Sequence, residues 1–178
     1  NPILFKNIEF PGIRNLVPVG MIVTTTNLFA VHSALPVKSV GDLVALAKSK
    51  PMLYGSAGNG SGGHMSAELF NAMTGIRVTH VPYKGAAAAT NEVVSGQVAY
   101  QFAGPITVLA LGRAGRLRLL AVTSSKRASA LPDLPTVDEL GHDVARHVDR
   151  DREADALPAR DDGGVDTHHA AVQVQQRA

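Results

Sequence analysis

Met52–Gly75, with the sequence MLYGSAGNGSGGHMSAELFNAMTG, predicts a strand, a glycine loop and a helix in that order. Met52–Tyr54 ends a short apolar run. Glycines dominate the next segment, Gly55–Gly63, and exclude regular structure there, because each glycine costs backbone entropy in a helix or a strand. Apolar residues then recur at helical spacing until a further glycine ends the helix, and Ser61 is placed to cap its beginning.

The junction between the glycine loop and this helix is a candidate anion-binding site. Unpaired N–H groups and the positive end of the helix dipole favour a carboxylate or a phosphate at such a junction. Hydrogen bonds from backbone amides to an anion are charge-assisted, so no charged side chain is needed. A tight turn without a ligand is the alternative interpretation. The candidate contacts are Ser56, Ala57, Gly58, Asn59 and Gly60.

The glycine spacing also matches the dinucleotide-binding fingerprint at Gly58, Gly60 and Gly63. That fingerprint needs an acidic residue about 20 positions further on to hold a ribose. No Asp or Glu occurs between Glu68 and Glu92, and the Gly-Lys-Ser/Thr of a P-loop is missing as well. A Rossmann-type nucleotide-binding enzyme is therefore kept only as the alternative function.

Strands and helices alternate along the chain at the spacing of βαβ units. This alternation predicts an α/β fold with a parallel sheet and ligand sites beyond the carboxyl ends of the strands. The predicted strands besides that of the glycine loop are Leu16–Thr24, Asn27–His32, Ile76–Val81, Gln97–Phe102 and Leu117–Thr123. The predicted helices besides the one after the loop are Lys38–Lys50, Ala86–Ser95, Ile106–Arg113 and a short Val137–Leu140.

Composition excludes several classes of protein. The hydrophobic content of 45% is that of a globular domain. A net charge of +2 and an aromatic content of 4% argue against a nucleic-acid partner, which needs basic patches or stacking platforms. The chain has no Cys, which excludes disulfides, zinc–thiolate sites and cysteine catalysis. We predict no cofactor and no metal site.

The composition changes after about His142, where Asp, Arg, His and Ala dominate and hydrophobic periodicity is lost. Such a segment buries too little apolar area to offset its ordering entropy, so it is predicted to be disordered. The abrupt change suggests a reading-frame shift near residues 142–146. Resequencing the coding DNA tests this hypothesis, and an alternative frame without an apolar continuation contradicts it. The pair His168-His169 has no rigid frame for a metal.

Several further side chains are candidates with two open interpretations each. Thr26 and Asn27 either contact a ligand or cap a turn. His64, on the first helical turn, either reaches the ligand or holds the loop, the second being favoured. Tyr83 either lines a cleft or packs on the sheet edge, and Lys84 either attracts an anion or is a solvated charge. Ala103, at a strand end, offers only backbone contacts.

No catalytic residue is predicted. Ser56 and His64 suggest a serine hydrolase, but Ser56 lacks the Gly-x-Ser-x-Gly elbow, and no acidic residue is placed to orient His64.

At YGSAGNGSGGHMSAELF, VTHVPYKGAAAA and GRLRLLAVTSSKRASALPDLPTVDELG, the sequence resembles the Bug (TctC-type) receptors, the periplasmic substrate-binding proteins of tripartite tricarboxylate transport systems. The resemblance covers roughly residues 1–142. It implies a periplasmic-binding-protein-like (type II) two-lobe α/β fold, here one near-complete lobe plus a partial second lobe. A small organic anion (a dicarboxylate, a tricarboxylate or an acidic amino acid) is then held in the cleft by backbone amides, small hydroxyls and water.

The resemblance also implies a division of the chain. Residues 1–35 are then part of the first lobe with crossover strands, 36–116 the ligand-binding lobe, 117–141 the return crossover, and 142–178 the disordered tail. Such a chain is a truncated copy, because half of the family's carboxylate clamp precedes Asn1. The resemblance also implies a periplasmic location, with no signal peptide in this chain, and the membrane subunits of a transporter as partners. A complete receptor is then expected to be a monomer. The family often has Asp at Ala99 and sometimes at Ala103, so ligand polarity stays open. A non-functional remnant is a further alternative.

Overall fold

A computed structural model describes residues 25–140, which contain a five-stranded sheet in the order β3-β2-β4-β1-β5. Strands and helices alternate along the chain, as predicted. The strands are β1 (Leu28–His32), β2 (Leu53–Ser56), β3 (Thr79–Pro82), β4 (Tyr100–Ala103) and β5 (Leu117–Val122). The helices are α1 (Val40–Ser49), α2 (Gly62–Thr74), α3 (Ala86–Ser95) and α4 (Pro105–Arg113).

The sheet is mixed, so the predicted parallel sheet is wrong for part of it. Strand β2 runs parallel to β3 and β4, whereas β1 lies between β4 and β5 and is antiparallel to both. An apolar strand sequence carries no information about direction, because direction depends on which distant strand becomes its neighbour.

The predicted helix Val137–Leu140 is also wrong, since this segment turns beside β5. Val137 is buried, and its N–H donates to the carbonyl of Val122 at 2.9 Å. Thr136 forms an isolated parallel bridge with Val122. Pairing with the sheet thus satisfies the Val137 N–H, which at the beginning of a helix would have no intrahelical partner. The predicted strand Leu16–Thr24 and the tail after residue 140 lie outside the described residues.

The two faces of the sheet are covered by different helices. Alternate β1 residues point to opposite faces, as the period of a strand requires. Phe29 and Val31 pack with residues of α1 and α2, including Leu43 and Phe70, whereas Leu28 and Ala30 pack with residues of α3 and α4. Buried apolar area on both faces therefore holds the strand ends in fixed relative positions.

Helix α1 begins with a complete capping box. The Ser39 hydroxyl accepts from the Asp42 N–H at 3.1 Å, and the Asp42 carboxylate accepts from the Ser39 N–H at 3.0 Å. The predicted N-cap at Ser39 is confirmed.

Ser39→Ala is expected to lower the free energy of unfolding by about 1 kcal/mol, because it leaves an N-terminal N–H of α1 without its acceptor. Urea denaturation measures the change. Lys48→Ala, on the exposed last turn of the same helix, is the control and is expected to stay within about 0.5 kcal/mol of the parent. Equal effects of the two substitutions would contradict the capping role.

Within residues 25–140 no helix combines the length and the apolar composition that crossing a bilayer requires.

Candidate functional site

The carboxyl ends of β2, β3 and β4 meet at one edge of the sheet, which we call the carboxyl edge. Tyr54 of β2 is in register with Tyr100 of β4 and with His80 of β3. Because β1 is antiparallel, its beginning lies at the same edge: Leu28 is in register with Ala103. Leu28 also pairs with Val122, so the end of β5 belongs to this edge too.

The topology places the candidates from the sequence at this edge, although they come from distant parts of the chain. Some precede β1, some follow β2, and the rest follow β3 or end β4. These residues are Thr26, Asn27, Ser56, Ala57, Gly58, Asn59, Gly60, His64, Tyr83, Lys84 and Ala103.

The glycine loop has a conformation that only glycine adopts readily. Gly58 and Gly60 have φ angles of +124° and +76°, in the region where an L side chain is strained. Gly63 lies against the end of β4, since a Cβ on it would be 2.2 Å from the carbonyl oxygen of Phe102. The glycines therefore let α2 begin directly on the sheet.

Ser61 is the N-cap of α2, and its hydroxyl accepts from the His64 N–H at 3.3 Å, which confirms the predicted cap. The helix ends at Gly75, whose φ of +66° is left-handed, as the sequence also predicts.

The amides of the loop divide into two groups. Gly58 N–H donates to the Ser56 hydroxyl, and Gly60 N–H donates to Nδ1 of His64, each at 3.1 Å. These two predicted ligand contacts are thus used inside the protein. Among the hydrogen bonds of residues 25–140, by contrast, no acceptor is found for four N–H groups of the loop and the first helical turn. They belong to Ala57, Asn59, Gly62 and Gly63; the last two were not among our candidates.

Two stacked histidines lie under the loop. The ring centroids of His64 and His80 are 4.1 Å apart with an interplanar angle of 23°, and Tyr54 stacks on the other face of His80 at 4.8 Å. Nε2 of His80 is 2.7 Å from the Ser56 hydroxyl oxygen. Burial lowers the pKa of His80 and the nearby His64 lowers it further, whereas the Glu68 carboxylate raises it.

His80 was not a candidate in the sequence. It belongs to the VTHVPYKG motif, but its contact with Ser56 follows from the parallel register of β2 and β3, which the sequence does not display. His64 serves the loop through Gly60, in agreement with the favoured interpretation.

The arrangement of Ser56 disfavours catalysis. Its side chain is bonded to His80 rather than to His64, and the residue is only 1% exposed. A nucleophile must reach the substrate, and this hydroxyl is enclosed by its own loop, to which it is also bonded at Gly58.

Thr26 and Asn27 join β1 to β5. The Asn27 N–H donates to the Thr123 hydroxyl at 3.0 Å, and the hydroxyls of Thr26 and Thr123 are 3.2 Å apart. Asn27 Nδ2 donates to the Ser66 hydroxyl of α2 at 3.3 Å. These contacts are long-range rather than local turn caps, and they hold the residues before β1 against β5 and α2. Thr123 was not a candidate, because its contacts depend on the pairing of β1 with β5.

Three candidates differ in what their side chains can offer. The ring of Tyr83 packs over the sheet: a Cβ on Gly55 would be 3.3 Å from its Cε2. Burial raises the pKa of Tyr83, and Glu92 adds to the rise. Lys84 is exposed, and Ala103 is buried, so Ala103 presents only its backbone.

Ala99 lies at the other edge of the sheet, where its N–H donates to the carbonyl of Leu53 and its carbonyl accepts from His32. A side chain at position 99 therefore belongs to the opposite end of the strands from the glycine loop.

Two surface cavities, of about 300 and 540 Å³, lie away from the glycine loop. The smaller is lined by residues that include His32, Lys50 and Gln97, at the opposite edge, and the larger by the end of α4 and residues 130–134. Neither includes a residue of the loop. The glycine loop therefore lies outside both cavities.

The chain is similar to known proteins in both sequence and fold. The family described as "Tripartite tricarboxylate transporter family receptor" (TctC) matches residues 1–149. Protein BugT of Bordetella pertussis is 34% identical over 141 residues, which are 78% of this chain and 43% of BugT.

Solved structures agree. The structure titled "R. palustris Rpa4515 with adipate" is 41% identical with a TM-score of 0.65, covering 67% of this chain and 40% of that one. MatC from Rhodopseudomonas palustris with bound malate is 26% identical with a TM-score of 0.63, covering 66% and 41%. The chain thus spans about two fifths of these relatives. It belongs to the TctC family of tripartite tricarboxylate transporter receptors and contains part of their periplasmic-binding-protein fold.

Proposed function

We propose that this chain is the part of a periplasmic solute receptor that binds a carboxylate group of a small organic acid for a tripartite tricarboxylate transporter. The observation that carries the proposal is a set of four N–H groups at the beginning of α2, on Ala57, Asn59, Gly62 and Gly63, for which residues 25–140 provide no acceptor. Each hydrogen bond from such a group to a charged acceptor contributes about 1.5–3 kcal/mol. The dipole of α2 adds a smaller favourable term of the same sign.

The ligand class follows from this chemistry and from the relatives. Amide donors select an anion, and the structures of two relatives contain adipate and malate, both carboxylic acids. We infer a dicarboxylate, a tricarboxylate or an acidic amino acid as the ligand. Lys84, exposed at the same edge, adds a positive charge near the site.

A second wall is needed to enclose such a ligand. Ile106 is 98% exposed on the first turn of α4, and Met65 is 52% exposed on the first turn of α2. Large apolar side chains exposed beside a binding site favour contact with another surface or with the carbon chain of a ligand. We propose that the remainder of a complete receptor supplies this wall, and that the division at residues 35, 116 and 141 separates the lobes.

The same proposal includes the transporter membrane subunits as partners, a periplasmic location and a monomeric complete receptor. Support for it comes from the family match.

Thermal unfolding of the 178-residue chain with added ligands tests the function. We expect succinate, malate, adipate, citrate or glutamate to raise the melting temperature, because a ligand at 100 times its Kd stabilises the folded state by about 2.7 kcal/mol. Asn59→Pro, which removes one of the free N–H groups, is expected to reduce the shift, whereas Lys48→Ala leaves it unchanged.

Two outcomes would contradict the proposal. Stabilisation by NAD or ATP and by no organic acid would favour a nucleotide-binding protein. No stabilisation by any acid, together with poor solubility, would identify the chain as a non-functional remnant.

A further inference from the structure

Two points of the glycine loop are held by histidines from different elements. Nε2 of His80, on β3, is 2.7 Å from the Ser56 hydroxyl, and Nδ1 of His64, on α2, accepts the Gly60 N–H at 3.1 Å. The two rings stack on each other, so each also fixes the plane of its partner.

We propose that His64 and His80 are positioning residues that hold the glycine loop in its anion-binding conformation, and that the loop keeps this conformation only while Nδ1 of His64 carries no proton. This inference rests on the proposed function of the loop.

The two residues that the histidines contact, Ser56 and Gly60, lie on either side of Ala57 and Asn59, whose N–H groups find no acceptor within residues 25–140. Ala57 lies between Ser56 and Gly58, whose N–H donates to the Ser56 hydroxyl, and Asn59 lies between Gly58 and Gly60. The direction of the Ala57 and Asn59 N–H groups is therefore set by residues that His80 and His64 hold. Releasing either histidine frees a loop whose glycines have little conformational preference of their own.

The contact of His64 determines its tautomer. Because Nδ1 accepts the Gly60 N–H, the proton of the neutral ring is on Nε2. A proton added at Nδ1 would place two donors, Nδ1–H and the Gly60 N–H, against each other and break this hydrogen bond.

The environment of His80 disfavours its charged form as well. The groups that face it are Tyr54 from β2 and His64 and Glu68 from α2. A charge on either histidine repels a charge on the other across 4.1 Å. The Glu68 carboxylate acts in the opposite direction, but it also accepts a hydrogen bond from the Tyr54 hydroxyl. Burial is the largest influence, and it lowers the pKa of His80.

The sign of the pH dependence follows. The fold favours neutral His80, so its conformation is not penalised above the ordinary histidine pKa of about 6.5 and is penalised as the pH falls below it. Acidification therefore weakens the loop conformation and the binding of an anion with it. Simple attraction between a protonated histidine and an anion predicts the opposite trend.

The test measures malate affinity by calorimetry from pH 8 to pH 5.5, together with amide hydrogen exchange at Gly60 without ligand. The matched variant is His64→Asn/His80→Gln, which keeps polar atoms near the positions of Nδ1 and Nε2 but does not titrate. It also reports any pH dependence that comes from malate itself. A second variant, His80→Phe, keeps the stacked ring and removes the contact with Ser56.

In the parent, we expect affinity to fall about tenfold over this range, as binding that requires a neutral ring loses up to tenfold per pH unit below the pKa. Gly60 exchange should accelerate in parallel. The double variant should lose most of this dependence, and His80→Phe should bind severalfold more weakly at pH 8 while remaining folded by circular dichroism.

Affinity that rises on acidification, a double variant with the parent's pH profile, or His80→Phe with parent affinity would overturn the proposal. If the parent binds no acid at any pH, the proposed function fails. Hydrogen exchange at Gly60 still tests whether His64 holds the loop. Exchange that is independent of pH between 8 and 5.5, after correction for its intrinsic rate, would overturn that claim.

Discussion

Gly63→Ala is expected to lower the free energy of unfolding by about 3 kcal/mol or more. The added Cβ would lie 2.2 Å from the carbonyl oxygen of Phe102, which is backbone at the end of β4 and cannot rotate away as a side chain can. Overpacking of a core typically costs about 1–3 kcal/mol, and a clash between backbone segments belongs at the upper end of that range or above it. Urea denaturation followed by circular dichroism measures the loss.

The neighbouring glycine provides the control for this prediction. A Cβ on Gly62 would meet Asn27 Nδ2 at 3.7 Å, an ordinary contact, and Gly62 does not have a positive φ. Alanine also loses less backbone entropy than glycine on folding. Gly62→Ala should therefore be neutral or slightly stabilising. If both substitutions destabilise the protein equally, the close approach of α2 to β4 is not what makes Gly63 necessary.

Phe29→Ala is expected to lower the free energy of unfolding by about 3–5 kcal/mol. The ring is fully buried among other aromatic side chains. Its centroid lies 5.0 Å from that of Phe70 and 4.2 Å from that of Phe102. Its removal leaves a cavity that the paired strands β4 and β5, one on each side of β1, prevent from collapsing. The denaturant midpoint at an unchanged m-value measures this loss.

Phe29→Leu retains most of the apolar volume and is expected to cost less than about 1.5 kcal/mol. A loss of similar size in the two variants would mean that the stacking geometry, rather than the filled volume, contributes most of the stability at this position.

Local signals in the sequence predicted the elements well. Glycine at 75 and 96 ends α2 and α3 in left-handed conformations, and helix α3 has the predicted bounds, Ala86–Ser95. Such signals succeed because caps and periodicity involve residues within one or two turns of each other. The segment Val137–Leu140 shows the limit, since it forms turns instead of the predicted helix and its Val137 N–H donates to the carbonyl of Val122.

The sequence located the segments of the candidate site, but not the hydrogen-bond partners within them. The sequence located the glycine loop and its helix, yet it assigned the Gly58 and Gly60 amides to a ligand when they bond to Ser56 and His64. It also omitted His80. Both errors concern which partner each donor selects, and a backbone donor selects its acceptor only in the folded chain.

The sequence by itself determined the order of strands and helices, the position of the flexible glycine segment before α2, and the family. Only the tertiary structure decided that β1 is antiparallel to its neighbours and that His80 meets the Ser56 hydroxyl across 24 residues of chain. It also decided which amides of the loop find an acceptor within residues 25–140. The physical reason is that these features depend on which distant segments become neighbours when apolar surface is buried, and many pairings are compatible with the same local pattern.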